Sequence, residues 1–327
     1  MKDNLGLEPF TPKGVFRNPH SQTVLSRLWP QTEGSITSQF HYVGLGDGDK
    51  LVLAESSPDC WNKGDRIVVL VHGLGGDYQS GYMIRFTRVM MAKGYKVFRV
   101  NLRGCGPGLN HAKKLYHSGV SQDTRQVLMY LEKNYPNSPV TQVGVSLGGN
   151  ITLKMAGEGG LGTCDSIVAI STPIDLNRCS DLISCRRNRF YDRYFARRLV
   201  AHVKKKAALE GQPLLQFPKR INLRKFDDLY TAPRAGFIDA EDYYRKASSF
   251  QFIPDINLPT LLLSSQDDPI VDYKCYLKLP RMDSQDIVLT DFGGHAGFFF
   301  DRNYNRYWLA EMVCSWLENR LGRRALH

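Results

Sequence analysis

The sequence predicts an α/β fold: a mostly parallel central sheet flanked by helices, with a helical insertion late in the chain. Three observations predict it. Short apolar runs alternate with stretches of helical period through the first half of the chain. The run at 139–143 passes through Gly144-Val145-Ser146-Leu147-Gly148 into a helix-compatible stretch, which makes a strand–turn–helix elbow. After an interval at about 174–250 without a convincing strand, strands resume. At 327 residues and 42% hydrophobic content, one domain over 1–327 is the simplest account, with its core at about 30–173 and 251–322 and a cap inserted at about 174–250.

The elements follow in order. Residues 36–45 and 51–55 read as an antiparallel opening pair, and 66–71 as an apolar strand that opens into a glycine-rich loop. A helix at about 78–93, a strand at 97–102 and a helix at about 121–134 continue the βαβ rhythm. The elbow strand and its helix at 149–156 come next, then a strand at 166–171. Residues 174–250 carry helical, charged and aromatic sequence. Strands return at 258–265 and 286–290, and a helix at about 304–321 closes the chain. No internal repeat or low-complexity segment interrupts this order.

The elbow has the composition a nucleophilic serine needs. Its glycines relieve crowding around a strained turn, so that the Ser146 hydroxyl stands above the sheet edge and the following N–H groups face an incoming oxyanion. Upstream, His72-Gly73-Leu74-Gly75-Gly76 follows a strand, and the backbone N–H groups of Leu74 and Leu147 are the candidate oxyanion hole. An ordinary tight turn is the alternative for that loop; it lacks the spacing of a phosphate-binding glycine motif. For the acid, two aspartates compete after the strand 258–265. Asp268, which precedes Pro269-Ile270-Val271, is favoured over Asp267, which reads as a turn residue at the strand end. His295 is the candidate base, set in the glycine-rich loop Gly293-Gly294-His295-Ala296-Gly297 after a late strand. His72 and Asp77 also fit an H-x-x-x-x-D spacing seen in some acyltransferases, which leaves acyl transfer as a second reading.

Composition narrows the class. Seven scattered cysteines have no metal-ligand spacing, so neither a disulfide framework nor a zinc site is indicated and a reducing, cytoplasmic setting is expected. The first residues lack the apolar run of a signal peptide, and no stretch approaches the length of a membrane span. Net charge is +11, and nine Lys/Arg against Asp192 crowd residues 186–206, interleaved with Phe190, Tyr191, Tyr194 and Phe195. Such a helix suits peripheral contact with an anionic membrane at its inner face; its bland alternative is a solvated helix whose aromatics pack on the core. No nucleic-acid-binding motif accompanies the patch, so nucleic acid is not expected as a partner.

The residues resemble a known family, the α/β-hydrolases, and within it the YheT-type hydrolases related to the plant Emb8 proteins. Arg17-Asn18-Pro19-His20-Ser21-Gln22-Thr23 is similar to that branch's N-terminal signature, with Pro19 where many relatives carry glycine. Asn101-Leu102-Arg103-Gly104-Cys105 resembles its Asn-x-Arg-Gly-Cys loop, and Phe226-Asp227-Asp228, Thr231-Ala232-Pro233 and Asp242-Tyr243-Tyr244 resemble its cap region. The resemblance implies an α/β-hydrolase fold and a serine carboxylester hydrolase, carboxylesterase- or acylglycerol-lipase-like. Ser146 would be its nucleophile, His295 base then acid, Asp268 the orienting carboxylate, and Leu74 and Leu147 the oxyanion donors. It implies no metal or organic cofactor and a small-molecule or lipid ester as substrate. A non-catalytic binding protein on the same fold is the remaining alternative. Acyl-chain length and oligomeric state are not legible in the residues.

Overall fold

Eight strands form one sheet in the order β1-β2-β4-β3-β5-β6-β7-β8 in the computed structural model, which describes residues 9–28, 36–213, 215–300 and 307–322. Strands β1 (Gln39–Gly44) and β2 (Lys50–Ser56) pair antiparallel, and β2 pairs antiparallel with β4 (Lys96–Asn101). From there the ladder is parallel through β3 (Ile67–Val71), β5 (Val140–Val145), β6 (Cys164–Ile170), β7 (Thr260–Ser265) and β8 (Gln285–Thr290). An α/β-hydrolase fold results.

Strand β3 shows why these runs read as continuously apolar. Val68 and Leu70 point into one core layer, and Ile67, Val69 and Val71 into the other, all fully or almost fully buried. The first layer is closed by Met83, Phe86 and Met90 of α2 (Gly81–Ala92) and by Trp308, Met312 and Trp316 of α10 (Trp308–Leu321). The second is closed by Val127, Leu128 and Leu131 of α3 (Ser121–Asn134) and by Ile151 and Met155 of α4 (Leu147–Glu158).

Strands β4 and β5 flank β3 on opposite sides, so the loops that leave the carboxyl ends of β3 and β5 turn away from each other. Sheets of this kind hold their ligands in the crevice opened there. It is bordered by the helix α1 (Pro19–Leu28) and by the segment between β6 and β7. That segment contains α5 (Leu176–Ser184), α6 (Arg189–Leu209), α7 (Leu223–Phe226), a π-helical turn at Asp227–Thr231, α8 (Ala232–Ala235) and α9 (Ala240–Ala247). Among its described residues there is no strand.

Element boundaries shift where turn chemistry intervenes. The helix expected from about 78 begins at Gly81, because Asp77 N–H donates to Ser80 Oγ and Ser80 N–H to the Asp77 carbonyl, closing a turn first. The opening strand is trimmed to Gln39–Gly44. The start of the last helix at about 304 and the core boundary at about 30 lie outside the described residues. Helix α6 is partly embedded: Tyr191, Asp192, Ala196, Val203 and Lys206 are buried, and Lys206 Nζ donates to the Leu109 carbonyl at 3.1 Å.

The loop after β4 is pinned by Arg103, whose guanidinium donates to Asp123 at 2.7 and 2.9 Å and to Asp47 and Asp49 at 2.7 Å each. Burial opposes the charge on Asp47, but hydrogen bonds from Lys114 and Arg103 outweigh it and hold its carboxyl at about 2. Asp49 is likewise lowered, burial being outweighed by the Lys113 and Lys114 N–H groups and by Arg103. Both folded-state values lie below the unfolded ones, so this stabilisation is present above about pH 4 and is lost as pH falls towards 2. Arg103→Met is expected to destabilise by about 3 kcal/mol at pH 7, since it strands buried carboxylates. It is also expected to flatten the loss of stability expected below pH 4 in the unmodified chain. Urea titrations across that range check both; an unchanged pH slope contradicts the assignment.

Candidate active site

Strand β5 ends at Val145, and Ser146 adopts φ 56° and ψ −125° before α4 begins. A non-glycine residue reaches this region only when its surroundings impose it. Here Ser146 N–H is drawn to the Ile170 carbonyl at 2.8 Å, and its own carbonyl accepts from Gly149 N–H at 2.9 Å. The flanking glycines permit the turn sterically. A Cβ on Gly144 would fall on the Gly148 carbonyl, and one on Gly148 would fall on the Val71 carbonyl of β3.

At the far edge of the crevice, the loop after β8 brings His295 Nε2 to 2.8 Å from Ser146 Oγ. His295 Nδ1 lies 2.9 Å from Asp268 Oδ2, in the loop after β7. With Nδ1–H donated to the carboxylate, Nε2 carries the lone pair that faces the serine hydroxyl. Asp268 is fully buried, and its other oxygen accepts the N–H groups of Ile270 and Val271 at 2.8 and 3.0 Å, which offsets the loss of water around the charge. Asp267 faces elsewhere and accepts Gly294 N–H at 2.8 Å.

The glycine loop after β3 lies directly against the serine: a Cβ on Gly73 would stand 3.0 Å from Ser146 Cβ. Gly73 N–H donates to Tyr82 Oη at 2.8 Å and Gly75 N–H to Tyr116 Oη at 2.7 Å. Among the described residues neither Leu74 N–H, between them, nor Leu147 N–H, at the first turn of α4, has an acceptor. Both residues line the space above Ser146. His72 is committed to structure: Nε2 accepts Leu102 N–H at 3.1 Å, Nδ1 donates to the Gly73 carbonyl at 2.8 Å, and complete burial pulls its pKa down to about 4. A neutral ring with both nitrogens engaged is no base, which removes the role its spacing to Asp77 suggested.

The N-terminal signature acquires a task that its sequence does not announce. His295 N–H donates to Thr23 Oγ1 at 2.9 Å, and Thr23 donates to the Pro19 carbonyl at 2.7 Å. Gln22 Nε2 donates to the carbonyls of Phe16 and Phe299, and its Oε1 accepts Phe299 N–H at 2.8 Å. Helix α1 thereby clamps the loop 293–299. The only trace of this in the sequence is a Gln-Thr pair in a motif far from the histidine.

Two cavities meet at Ser146. One, of about 560 Å³, is lined by Leu74, Leu147, Leu176, Ile183, Phe195 and Leu199 and reaches Asp227, Tyr230 and Arg234 of the insertion. Burial pushes the Asp227 carboxyl up to about 6, and Tyr244 Oη donates to it at 2.6 Å. The other, of about 480 Å³, includes His295, Thr23, Arg27, Tyr194 and Arg198. Ser146, Leu74, Phe195 and Ile270 border both.

Residues 66–301 match the family described as the alpha/beta hydrolase fold. The chain is 33% identical over 323 residues to YheT of Escherichia coli (strain K12), an esterase by name, covering 97% of this chain and 95% of that one. It is 30% identical over 301 residues to the monoacylglycerol lipase of Saccharomyces cerevisiae, covering 88% of this chain and 65% of the yeast protein. Among solved structures, 2,6-dihydroxy-pseudo-oxynicotine hydrolase superposes with a TM-score of 0.61 at 14% identity, over 89% of this chain and 71% of that one. The Pyrococcus furiosus esterase Pf2001 superposes with 0.58 at 16% identity, over 97% and 99%. At such identities the structural likeness speaks for the fold alone.

Thr23→Val is expected to leave the His295 N–H without its acceptor and to lower stability by about 1–2 kcal/mol. Loss of ring placement is expected to lower kcat by about 10- to 100-fold with KM little changed. Thr23→Ser, which keeps the hydroxyl, should restore kcat. A valine variant with wild-type kcat removes Thr23 from the positioning of the imidazole.

Proposed function

We propose that this chain, which belongs to the alpha/beta hydrolase family and is a carboxylic ester hydrolase, acts through Ser146 as nucleophile, His295 as general base and then acid, and Asp268 as the carboxylate that orients the imidazole. The observation that carries the reading is the unbroken chain from buried Asp268 through His295 to Ser146 Oγ, with contacts of 2.9 and 2.8 Å. Oγ attacks the ester carbonyl carbon as its proton passes to Nε2, and the Asp268 charge stabilises the imidazolium that forms. Negative charge then collects on the former carbonyl oxygen, and the free N–H groups of Leu74 and Leu147 receive it. Each such donor typically contributes about 3 kcal/mol to the transition state. Collapse expels the alcohol, protonated by His295, and leaves an acyl-serine. Water, deprotonated by the same Nε2, reverses these steps and releases the acid.

The two cavities divide the substrate. His295 borders only the smaller one, and the departing alcohol oxygen has to meet Nε2; Leu147 borders only the larger. The alcohol half therefore occupies the smaller cavity and the acyl chain the larger, whose apolar wall suits a fatty acyl group. A lipid ester is the substrate class this favours, in keeping with the lipase name of the yeast relative. Residues 174–250 act as a cap: they supply Phe195, Leu199, Leu176 and Ile183 to the acyl cavity and are fastened to the core by Asn188 Nδ2 donating to the Pro269 carbonyl at 2.8 Å. His72, being occupied, lends acyl transfer no support; transfer through the same Ser146 acyl-enzyme would take an alcohol in place of water.

Exposed Phe190 and Tyr194 stand on α6 beside the exposed Arg193, Arg197, Lys204 and Lys205. This supports docking of that helix on an anionic lipid surface, at about 1 kcal/mol per basic residue near the membrane. Co-sedimentation with vesicles should then be stronger for phosphatidylserine-containing than for neutral vesicles and should weaken as salt rises. Equal recovery with both ends this part of the reading.

Ser146→Ala is expected to reduce hydrolysis of a p-nitrophenyl ester by about 10⁴-fold or more without lowering stability. It should also abolish labelling by a fluorophosphonate. A residual rate close to that of the unmodified chain, or a label on another residue, removes Ser146 from the mechanism.

A further inference from the structure

Two arginines meet in the smaller cavity without a carboxylate to answer them. Arg27, on α1, donates from Nη2 to the Gly75 carbonyl at 3.2 Å, and Arg198, on α6, donates to the same oxygen from Nη2 at 2.9 Å. Both guanidinium groups also lie over the Tyr194 ring, at 5.3 and 5.8 Å from its centroid. Among the described residues no acidic group forms an ion pair with either. Asp77, which lines the same cavity, directs Oδ1 to the Gln79 N–H at 2.9 Å.

One carbonyl oxygen, with the Tyr194 hydroxyl 3.5 Å from Arg198 Nη1, is a poor counterpart for two cations. A guanidinium offers five N–H donors in a planar fork, and most of those on this pair have no protein acceptor among the described residues. Burial, and next the charge of Arg198, pull the Arg27 pKa below the usual arginine range, the direction expected of a cation that lacks a counter-charge. Like charges brought together from two separate helices, beside Ser146 and His295, form a site that an anion would relieve. A phosphate matches it better than a single carboxylate, because it spreads up to two negative charges over three oxygens that two forks can share.

We propose that Arg27 and Arg198 form a phosphate-binding subsite on the alcohol side of the active site, so that the preferred substrates are acyl esters of phosphorylated alcohols. This rests on the ester-hydrolase reading above, which places the leaving alcohol in the cavity that His295 borders. The reaction itself is unchanged: the acyl carbon–oxygen bond breaks, and the phosphate leaves intact with its alcohol. No phosphoryl group is transferred.

The test compares two soluble esters below their micelle concentrations, octanoyl glycerol 3-phosphate and octanoyl glycerol. It uses the full chain and its Arg27→Gln, Arg198→Gln and doubly substituted forms. The unmodified chain is expected to favour the phosphate ester by about 10- to 100-fold in kcat/KM, mostly through KM, the effect of one or two charge-assisted hydrogen bonds. The double substitution should reduce that ratio by about tenfold or more. Being a ratio within each protein, it is insensitive to partial loss of active enzyme, and exposed Arg198 alone provides a variant whose folding is little at risk. A ratio of one or less in the unmodified chain, or a preference that survives the double substitution, overturns the proposal.

A second arm separates the subsite from the reading on which it rests. Inorganic phosphate, at matched ionic strength, should raise the Tm of the Ser146→Ala protein and should fail to do so when both arginines are replaced. If phosphate binds in this arginine-dependent way while neither ester is cleaved, the ester reading falls and the anion site stands as a site for free phosphate. If both esters are cleaved through Ser146 and phosphate neither binds nor selects, the reverse holds.

Discussion

Everything in the site depends on one close approach, that of the elbow to the end of β3. Gly148 packs so tightly on the Val71 and His72 carbonyls that no side chain fits between them. That contact, with the Ser146 N–H bond to the Ile170 carbonyl, sustains a backbone conformation a serine would not adopt alone. Three consequences follow from the same few atoms. The Ser146 hydroxyl is lifted out of the sheet, Leu147 N–H starts α4 with no helical acceptor, and the glycine loop of β3 is brought within contact of the serine Cβ. Strain at one residue thus sets both the proposed nucleophile and the proposed oxyanion donors, and the dense core beneath the elbow sustains it: Ile151, Leu153 and Met155 of α4 are all fully buried.

The histidine side is assembled from parts distant in the chain. His295 sits in a loop where Gly294, Ala296 and Phe298 all have positive φ, a shape with few internal hydrogen bonds to hold it. Its restraints come from outside. Thr23 and Gln22 grip it from α1, Ser265 Oγ donates to the Gly294 carbonyl at 2.8 Å, and Ser171 Oγ accepts Ala296 N–H at 3.1 Å. A glycine-rich loop can approach α1 because it lacks side chains where it meets it: a Cβ on Gly294 would stand 2.5 Å from the Pro19 carbonyl. The glycines that let the loop take its shape are also what allows another segment to hold that shape.

This division explains what could be read from the residues alone. Elbow, glycine loop and the parallel strands are local patterns: an apolar run of strand length, a turn glycine, a helix start. Asp268 could be separated from Asp267 because the proline and apolar pair after it mark a buried turn, and those residues supply the N–H groups that hold its carboxylate. The clamp of Thr23 on His295 spans 272 positions, and the meeting of Arg27 with Arg198 unites two helices with no shared pattern. Pairings of that kind arise from the topology of the sheet and leave no periodic mark. Residues 186–206 show the opposite limit. Their charge was evident, but Tyr191, Asp192, Ala196, Val203 and Lys206 are buried, Lys206 against the Leu109 carbonyl, so composition overstated how much of the helix faces solvent.

Several histidines lie close to the site, and they differ in burial and in the partners of their ring nitrogens. His72 and His117 are pulled down to about 4, in each case chiefly by burial, and His202 is lowered for the same reason. Further interactions act on His117 through the charges of Arg103 and Lys154, and on His202 through Lys205, Arg198 and Lys206. Burial keeps these imidazoles neutral, with nearby cations adding to it at His117 and His202, and the rings serve as hydrogen-bonding struts: His202 Nε2 meets the Gly104 carbonyl at 2.8 Å, as His72 meets Gly73. His295 is buried to a similar degree but has a carboxylate on its far nitrogen. An imidazolium formed there in the proposed proton transfer finds a compensating charge already in place, at no cost of reorganisation. What sets His295 apart from these struts is therefore its partners: Nδ1 faces the Asp268 carboxylate and Nε2 faces the Ser146 hydroxyl, whereas His72 and His202 meet backbone carbonyls.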